Sequence, residues 1–274
     1  MAQNPLQQHF RQPKIYISLP SHGVYNKPGS IDGDADRIPV FGMTGMDEII
    51  MKTPDALLTG ESTAKVIQSC CPAIKDPWDL SNLDTDLVLT SIRIATFGSE
   101  LTLTNVCSNC ASSNDYNLDL NVLIDHYSRC SYDNKLVVGD LKITIRPLTY
   151  KQSTEFSLRN FQLQQQLKQM ADIPQDEQQE FTSSVFKELA QIRNDVFTAG
   201  VESVDTGKVV VTELPYIAEW IANADRSVME AIRLQVEVNQ KAWATPKHPV
   251  KCSECGTETS LSLDLDQSNF FVTA

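Results

Sequence analysis

The chain has no run of apolar residues approaching the roughly 20 that a bilayer-crossing helix requires. It has no basic stripe either. Its lysines and arginines are scattered singly, and its 274 residues carry a formal net charge of −12, with a sequence pI near 4.7. A nucleic-acid binder concentrates positive charge to neutralise phosphates, so that class is disfavoured. The first residues, Met1 to Pro13, are polar and glutamine-rich and do not read as a secretory signal. The seven cysteines are therefore expected to stay reduced. No nucleophile pattern accompanies a histidine, and no catalytic constellation stands out, so an enzyme is not expected.

What the sequence does have is a pair of matching cysteine motifs. Cys107-Ser108-Asn109-Cys110 is repeated far downstream as Cys252-Ser253-Glu254-Cys255. At the same offset beyond each pair stand Leu118-Asp119-Leu120 and Leu263-Asp264-Leu265. Each copy reads as a tight turn bearing two thiols, followed by an alternating strand. Two residues between cysteines let the backbone bend until both sulfurs face one point, with amide N–H groups turned toward them. Two convergent pairs supply four thiolates to one tetrahedral Zn2+ and leave no open position for water. The expected ligands are Cys107, Cys110, Cys252 and Cys255, and the expected role is structural. Binding at such sites contributes about 10–16 kcal/mol in zinc-finger peptides, which is enough to fasten a long insertion at both ends. A redox dithiol is disfavoured, because the βαβ context and an aromatic residue or proline between the cysteines are missing. Two disulfides are the alternative if the protein meets an oxidising compartment.

Other chemistry-bearing residues have plainer readings. His22 sits in a turn-rich loop after Pro20 and reads as a surface polar residue. Cys70 and Cys71 are adjacent on a helix, point in different directions and read as buried thiols. Asp84 and Asp86 near a helix start read as acids complementing its dipole. His126 and Cys130 are spaced four apart, but they match a metal site less well than the four cysteines.

The fold class is expected to be α+β: a mixed N-terminal region, and a zinc-ribbon-like β unit closed by the two CxxC hairpins with a helical insertion between them. The expected boundaries are a flexible arm over 1–13, a mixed region over 14–99, the first half of the β unit over 100–148, the helical insertion over 149–244, and the second half with the tail over 245–274. Within the insertion, Thr149 and Gln152 form a capping box. Three amphipathic stripes follow, the third predicted as one helix from Thr212 to about Ala242. They can close on one another, or leave a face open to a partner helix.

The order of short motifs also carries a resemblance. Leu19-Pro20-Ser21-His22-Gly23-Val24-Tyr25, Met43-Thr44-Gly45-Met46-Asp47-Glu48, Ser69-Cys70, Asp84, Phe97-Gly98, the first CxxC and Ile145-Arg146-Pro147-Leu148-Thr149 occur in succession. This resembles the baseplate hub assembly proteins of T4-like contractile-tailed bacteriophages. The resemblance implies a non-enzymatic structural or assembly role in the tail baseplate, with other phage baseplate and hub proteins as partners. The protein would act in the virion tail or in the host cytoplasm during assembly. Nucleic acid and membrane are not expected as partners, and the sequence sets no oligomeric state. The competing reading is a zinc-ribbon adaptor for nucleic acid or transcription proteins. It would need a basic patch near the cysteines, where only Lys247 and Lys251 stand, with Lys135 and Lys142 more remote. A metalloenzyme would need an open coordination position and a general base.

Overall fold

A computed structural model of the chain describes residues 5–53, 59–169, 175–261 and 271. The fold is mixed α+β, and the chain divides into two compact units. The first comprises residues 1–131 and 243–274, and the second, residues 132–242, is inserted into it.

In the first unit, β1 (Ile15–Ile17) pairs antiparallel with β2 (Ile38–Val40), with Ile17 opposite Ile38. These strands share one core with helices α1 (Gly45–Met51), α2 (Glu61–Cys70) and α3 (Asn82–Phe97). Leu19, Ile38, Ile67, Ile74 and Ile92 are fully buried there. Each such side chain contributes about 1.5–3 kcal/mol relative to an exposed one. Local signals set the helix ends. Thr44 and Asp47 close a capping box on α1. Ser81 caps α3, and Gly98 ends it at φ 93°.

The two acids of α3 do something other than complement its dipole. Asp84 is completely buried and accepts bonds from the Ser21 amide (3.0 Å), the Ser21 hydroxyl (2.6 Å) and the Ser81 hydroxyl (2.7 Å). With buried Asp79, which accepts from the Lys27 amide and the Ser30 hydroxyl, it anchors the loop after β1 from below. Asp86 lies past the first turn, and its carboxylate has no hydrogen-bond donor or counter-ion among the described residues. Burial pushes its pKa up to about 6.

Arg11, inside the stretch expected to be a flexible arm, is held in place. Its guanidinium donates to the carbonyls of Gly42 (2.8 Å) and Ser69 (2.7 Å). Pro54, a residue suited to the first turn of a helix, lies outside the described residues. Of the apolar tail, Phe271 is described, and it is buried in the first core.

The first core continues into β3 (Glu100–Val106), β4 (Ser113–Asp119) and α4 (Asn121–Arg129) through Leu118, Leu120, Leu123 and Tyr127. Where the chain leaves and re-enters this unit, the Trp243 indole N–H donates to the Ser131 carbonyl (3.4 Å). The Tyr127 hydroxyl lies 3.1 Å from that of Thr245.

The inserted unit is more than helical. Strands β5 (Lys135–Val138), β6 (Leu141–Ile145), β7 (Val201–Asp205) and β8 (Val210–Val211) form one antiparallel sheet in that order. The β5–β6 hairpin therefore pairs with β7 and belongs to the inserted unit. Between β6 and β7 run α5 (Tyr150–Gln169) and α6 (Gln175–Gly200). Thr149 and Gln152 form the capping box that their spacing predicts. The two helices meet through Leu163, Val185 and Ile192 and an Arg159–Asp195 ion pair of 2.7 Å.

The third apolar stripe is split between α7 (Leu214–Asn223) and α8 (Arg226–Trp243), because Ala224 is extended at φ −69°, ψ 146°. Ile217 and Ile221 from α7 and Ile232 from α8 complete a second core with Ile143, Ile145, Val201 and Val204 of the sheet. Asn239, nearly buried on α8, bonds both the amide (3.1 Å) and the carbonyl (2.8 Å) of Asp133.

Candidate metal centre

Two short hairpins build the site. β3 and β4 pair in register from Glu100 opposite Asp119 to Val106 opposite Ser113. In the second, β9 (His248–Lys251) pairs with β10 (Glu258–Leu261). The first CxxC occupies the tip of one hairpin and the second CxxC the tip of the other, and the tips have the same backbone. The Cys107 amide donates to the Ser112 carbonyl (2.9 Å) and the Ala111 amide to the Cys107 carbonyl (2.9 Å). In the partner tip, the Cys252 amide donates to the Thr257 carbonyl (2.9 Å) and the Gly256 amide to the Cys252 carbonyl (3.0 Å). Both turns need a left-handed residue after the second cysteine, supplied by Ala111 at φ 57° and Gly256 at φ 70°.

The tips face each other. Cys107 Sγ is 3.6 Å from Cys255 Sγ, and Cys110 Sγ is 3.7 Å from Cys252 Sγ. All four sulfurs lie within 4.8 Å of one another. A tetrahedron of sulfurs about 2.3 Å from a zinc ion has edges of about 3.8 Å. The thiols are free rather than paired in disulfides. The first cysteine of each motif is buried and the second exposed, so the cluster lies half in and half out of the protein.

Polar groups surround the sulfurs. The Ser112 hydroxyl stands 3.0 Å from Cys110 Sγ and 3.3 Å from Cys252 Sγ, and the Thr257 hydroxyl 3.1 Å from Cys255 Sγ. Ser112, then the Cys255 amide, hold the Cys252 thiol down to about 5. The Thr257 hydroxyl and amide, then Asn109, hold Cys255 at about 7. Such groups favour the thiolate, the form that binds metal.

Asn114 spans the two hairpins. Buried on β4, it donates to Cys252 Sγ (3.5 Å) and accepts from the Ser253 amide (2.9 Å) and hydroxyl (2.8 Å). Asn109 reaches Thr257 Oγ1 (3.2 Å), and the Tyr116 hydroxyl donates to the Lys251 carbonyl (3.3 Å). The donor set, four sulfurs with hydroxyl and amide support and no carboxylate, suits a soft-ligand tetrahedral ion such as zinc.

All four cysteines singled out from the sequence come together here. Sequence reasoning missed Ser112 and Thr257, although both stand two residues after the second cysteine of their motif, which is a legible signal. Asn114 has no counterpart in the second copy and left none. The strand expected at Leu263-Asp264-Leu265 lies outside the described residues.

The remaining candidates stand elsewhere. His22 pairs with Asp36, which also accepts from Ser18. Cys70 and Cys71 are fully buried in the first core, and burial pushes the Cys70 thiol up to about 12. His126 Nε2 and Cys130 Sγ lie 3.7 Å apart, but no third metal-binding side chain joins them among the described residues.

Compared with known families, residues 46–272 match the model described as T4 bacteriophage base plate protein. The matched stretch contains both cysteine motifs, whereas Leu19 to Tyr25 precedes it. No curated protein and no solved structure matches the chain.

Proposed function

Because the chain belongs to the T4 bacteriophage base plate protein family, we propose that it is a non-enzymatic structural or assembly protein of the baseplate hub, stapled by one structural Zn2+. Cys107, Cys110, Cys252 and Cys255 would hold the ion, joining the two hairpins as a zinc-ribbon-like unit. The observation that carries this reading is the convergence of four sulfurs within 4.8 Å from hairpins on either side of the inserted unit 132–242. A metal there would tie together two stretches of chain far apart in sequence, and four thiolates would fill its coordination sphere. Closed sites of this kind stabilise folds, whereas catalytic zinc keeps a position for water. The protein's partners are then other baseplate proteins, met in the host cytoplasm during assembly and in the virion tail afterwards, with no role for nucleic acid.

Quantitative mass spectrometry of purified particles and of the lysate that produced them tests the hub role. A fixed copy number per particle identifies a built-in component. Presence on tail intermediates with absence from finished particles identifies an assembly factor. Absence from both contradicts the proposal and favours the adaptor reading.

A further inference from the structure

The inserted unit contains a cavity of about 400 Å³ formed by the C-terminal half of α6, the end of α7 and the start of α8. Its walls carry three guanidinium groups, Arg193, Arg226 and Arg233, against one carboxylate, Glu230. Glu230 is already engaged, bonded to Arg233 at 2.7 Å, and Arg233 also reaches Glu237 at 2.9 Å. Arg193 and Arg226 have no ion pair and no side-chain hydrogen bond among the described residues. Arg226 opens α8 next to Asp225, whose carbonyl accepts from the Val228 and Met229 amides. Asp225, just before the helix, does not line the cavity. Behind the charges, Phe197, Ile221 and Met229 supply an apolar wall.

With Arg233 held by Glu230 and Glu237, Arg193 and Arg226 are the charges left to meet a ligand. Guanidinium is planar and weakly hydrated, and its fork of donors matches a carboxylate two bonds at a time. An apolar wall next to such forks selects a carboxylate with a hydrophobic neighbour. A nucleic-acid strand fits less well, because it needs a track of positive charge along its length.

We propose that this cavity is a docking site for an acidic peptide segment of a partner protein, one that places Asp or Glu side chains on Arg193 and Arg226 and an apolar side chain against Phe197 and Met229. The proposal does not depend on the metal site, which lies in the other unit.

The test uses the full-length protein and a fluorescein-labelled peptide Glu-Glu-Phe-Glu-Glu, with the Gln-Gln-Phe-Gln-Gln peptide and a 20-nucleotide oligothymidylate as comparison probes. Fluorescence anisotropy should show saturable, salt-sensitive binding of the acidic peptide and little binding of the glutamine peptide. The double substitution Arg193→Ala/Arg226→Ala should weaken acidic-peptide binding at least ~10-fold, as loss of two charge-assisted contacts implies. Both side chains are exposed, so the melting temperature of that variant should match the parent, which separates lost binding from lost folding. Binding unchanged by the double substitution, no binding of the acidic peptide, or preference for the oligonucleotide would overturn the proposal.

Discussion

Ala111 holds a left-handed backbone, φ 57°, where the second hairpin uses Gly256. A Cβ in that region costs on the order of 1 kcal/mol, and glycine removes it at some cost in unfolded-chain entropy. Ala111→Gly should therefore raise unfolding stability, by up to about 1 kcal/mol in urea denaturation; a destabilised variant would contradict the matched-tip geometry. Asp86 gives a residue-level prediction of opposite character. Its folded pKa, about 6, stands above the ordinary carboxylate value because burial disfavours the charge. The folded state thus keeps a proton that the unfolded chain has already lost, so stability falls as pH rises from about 4 to about 6 and stays lower above. Asp86→Asn should stabilise the protein by about 1–3 kcal/mol at pH 7.5. The gain should vanish near pH 4, and a gain independent of pH would show that the carboxylate is not desolvated.

The helices and hairpins differ in how much of them the sequence disclosed. The capping boxes at Thr44 and Thr149, the glycine at the end of α3 and the two CxxC tips are written in residues a few positions apart, and all of them form. The pairing of β6 with β7 spans two intervening helices, and no local pattern records which strand a hairpin will join. That is why the sequence places the β5–β6 hairpin with the first CxxC half, whereas it pairs with β7 of the inserted unit. The same holds for Asp84: a first-turn acid looks alike whether it faces solvent or anchors a distant serine. Likewise, the apolar stripe from Leu214 onward keeps helical spacing across Ala224 although the backbone breaks there. At this scale Asn239 is the joint to probe, since it holds both backbone groups of Asp133. Asn239→Ala should cost about 2 kcal/mol by stranding them, read as a lower denaturation midpoint; a neutral substitution would show that the joint carries no stability.

For the whole molecule, the proposed metal site would decide how the chain is closed. The first unit is assembled from two segments separated by the insertion, residues 1–131 and 243–274. An ion held by the four clustered sulfurs would join the hairpins of both segments, and the Trp243 indole N–H on the Ser131 carbonyl ties them at the point of departure. Loss of one ligand should then loosen more than the site. Cys107→Ser or Cys255→Ser should reduce metal content and lower the melting temperature by about 10 °C, the shift that a loss of several kcal/mol produces in a chain of this size. The four clustered cysteines were legible in sequence because the motif repeats; the asparagine that braces them was not, because its role depends on the facing hairpin.

The most direct test is metal analysis of full-length protein purified without added metal, combined with X-ray absorption at the zinc edge. The account predicts one zinc per chain with four sulfur neighbours at about 2.3 Å, and unfolding when a chelator removes it. A protein that folds and melts normally with no bound metal and four freely titratable thiols at Cys107, Cys110, Cys252 and Cys255 would contradict it.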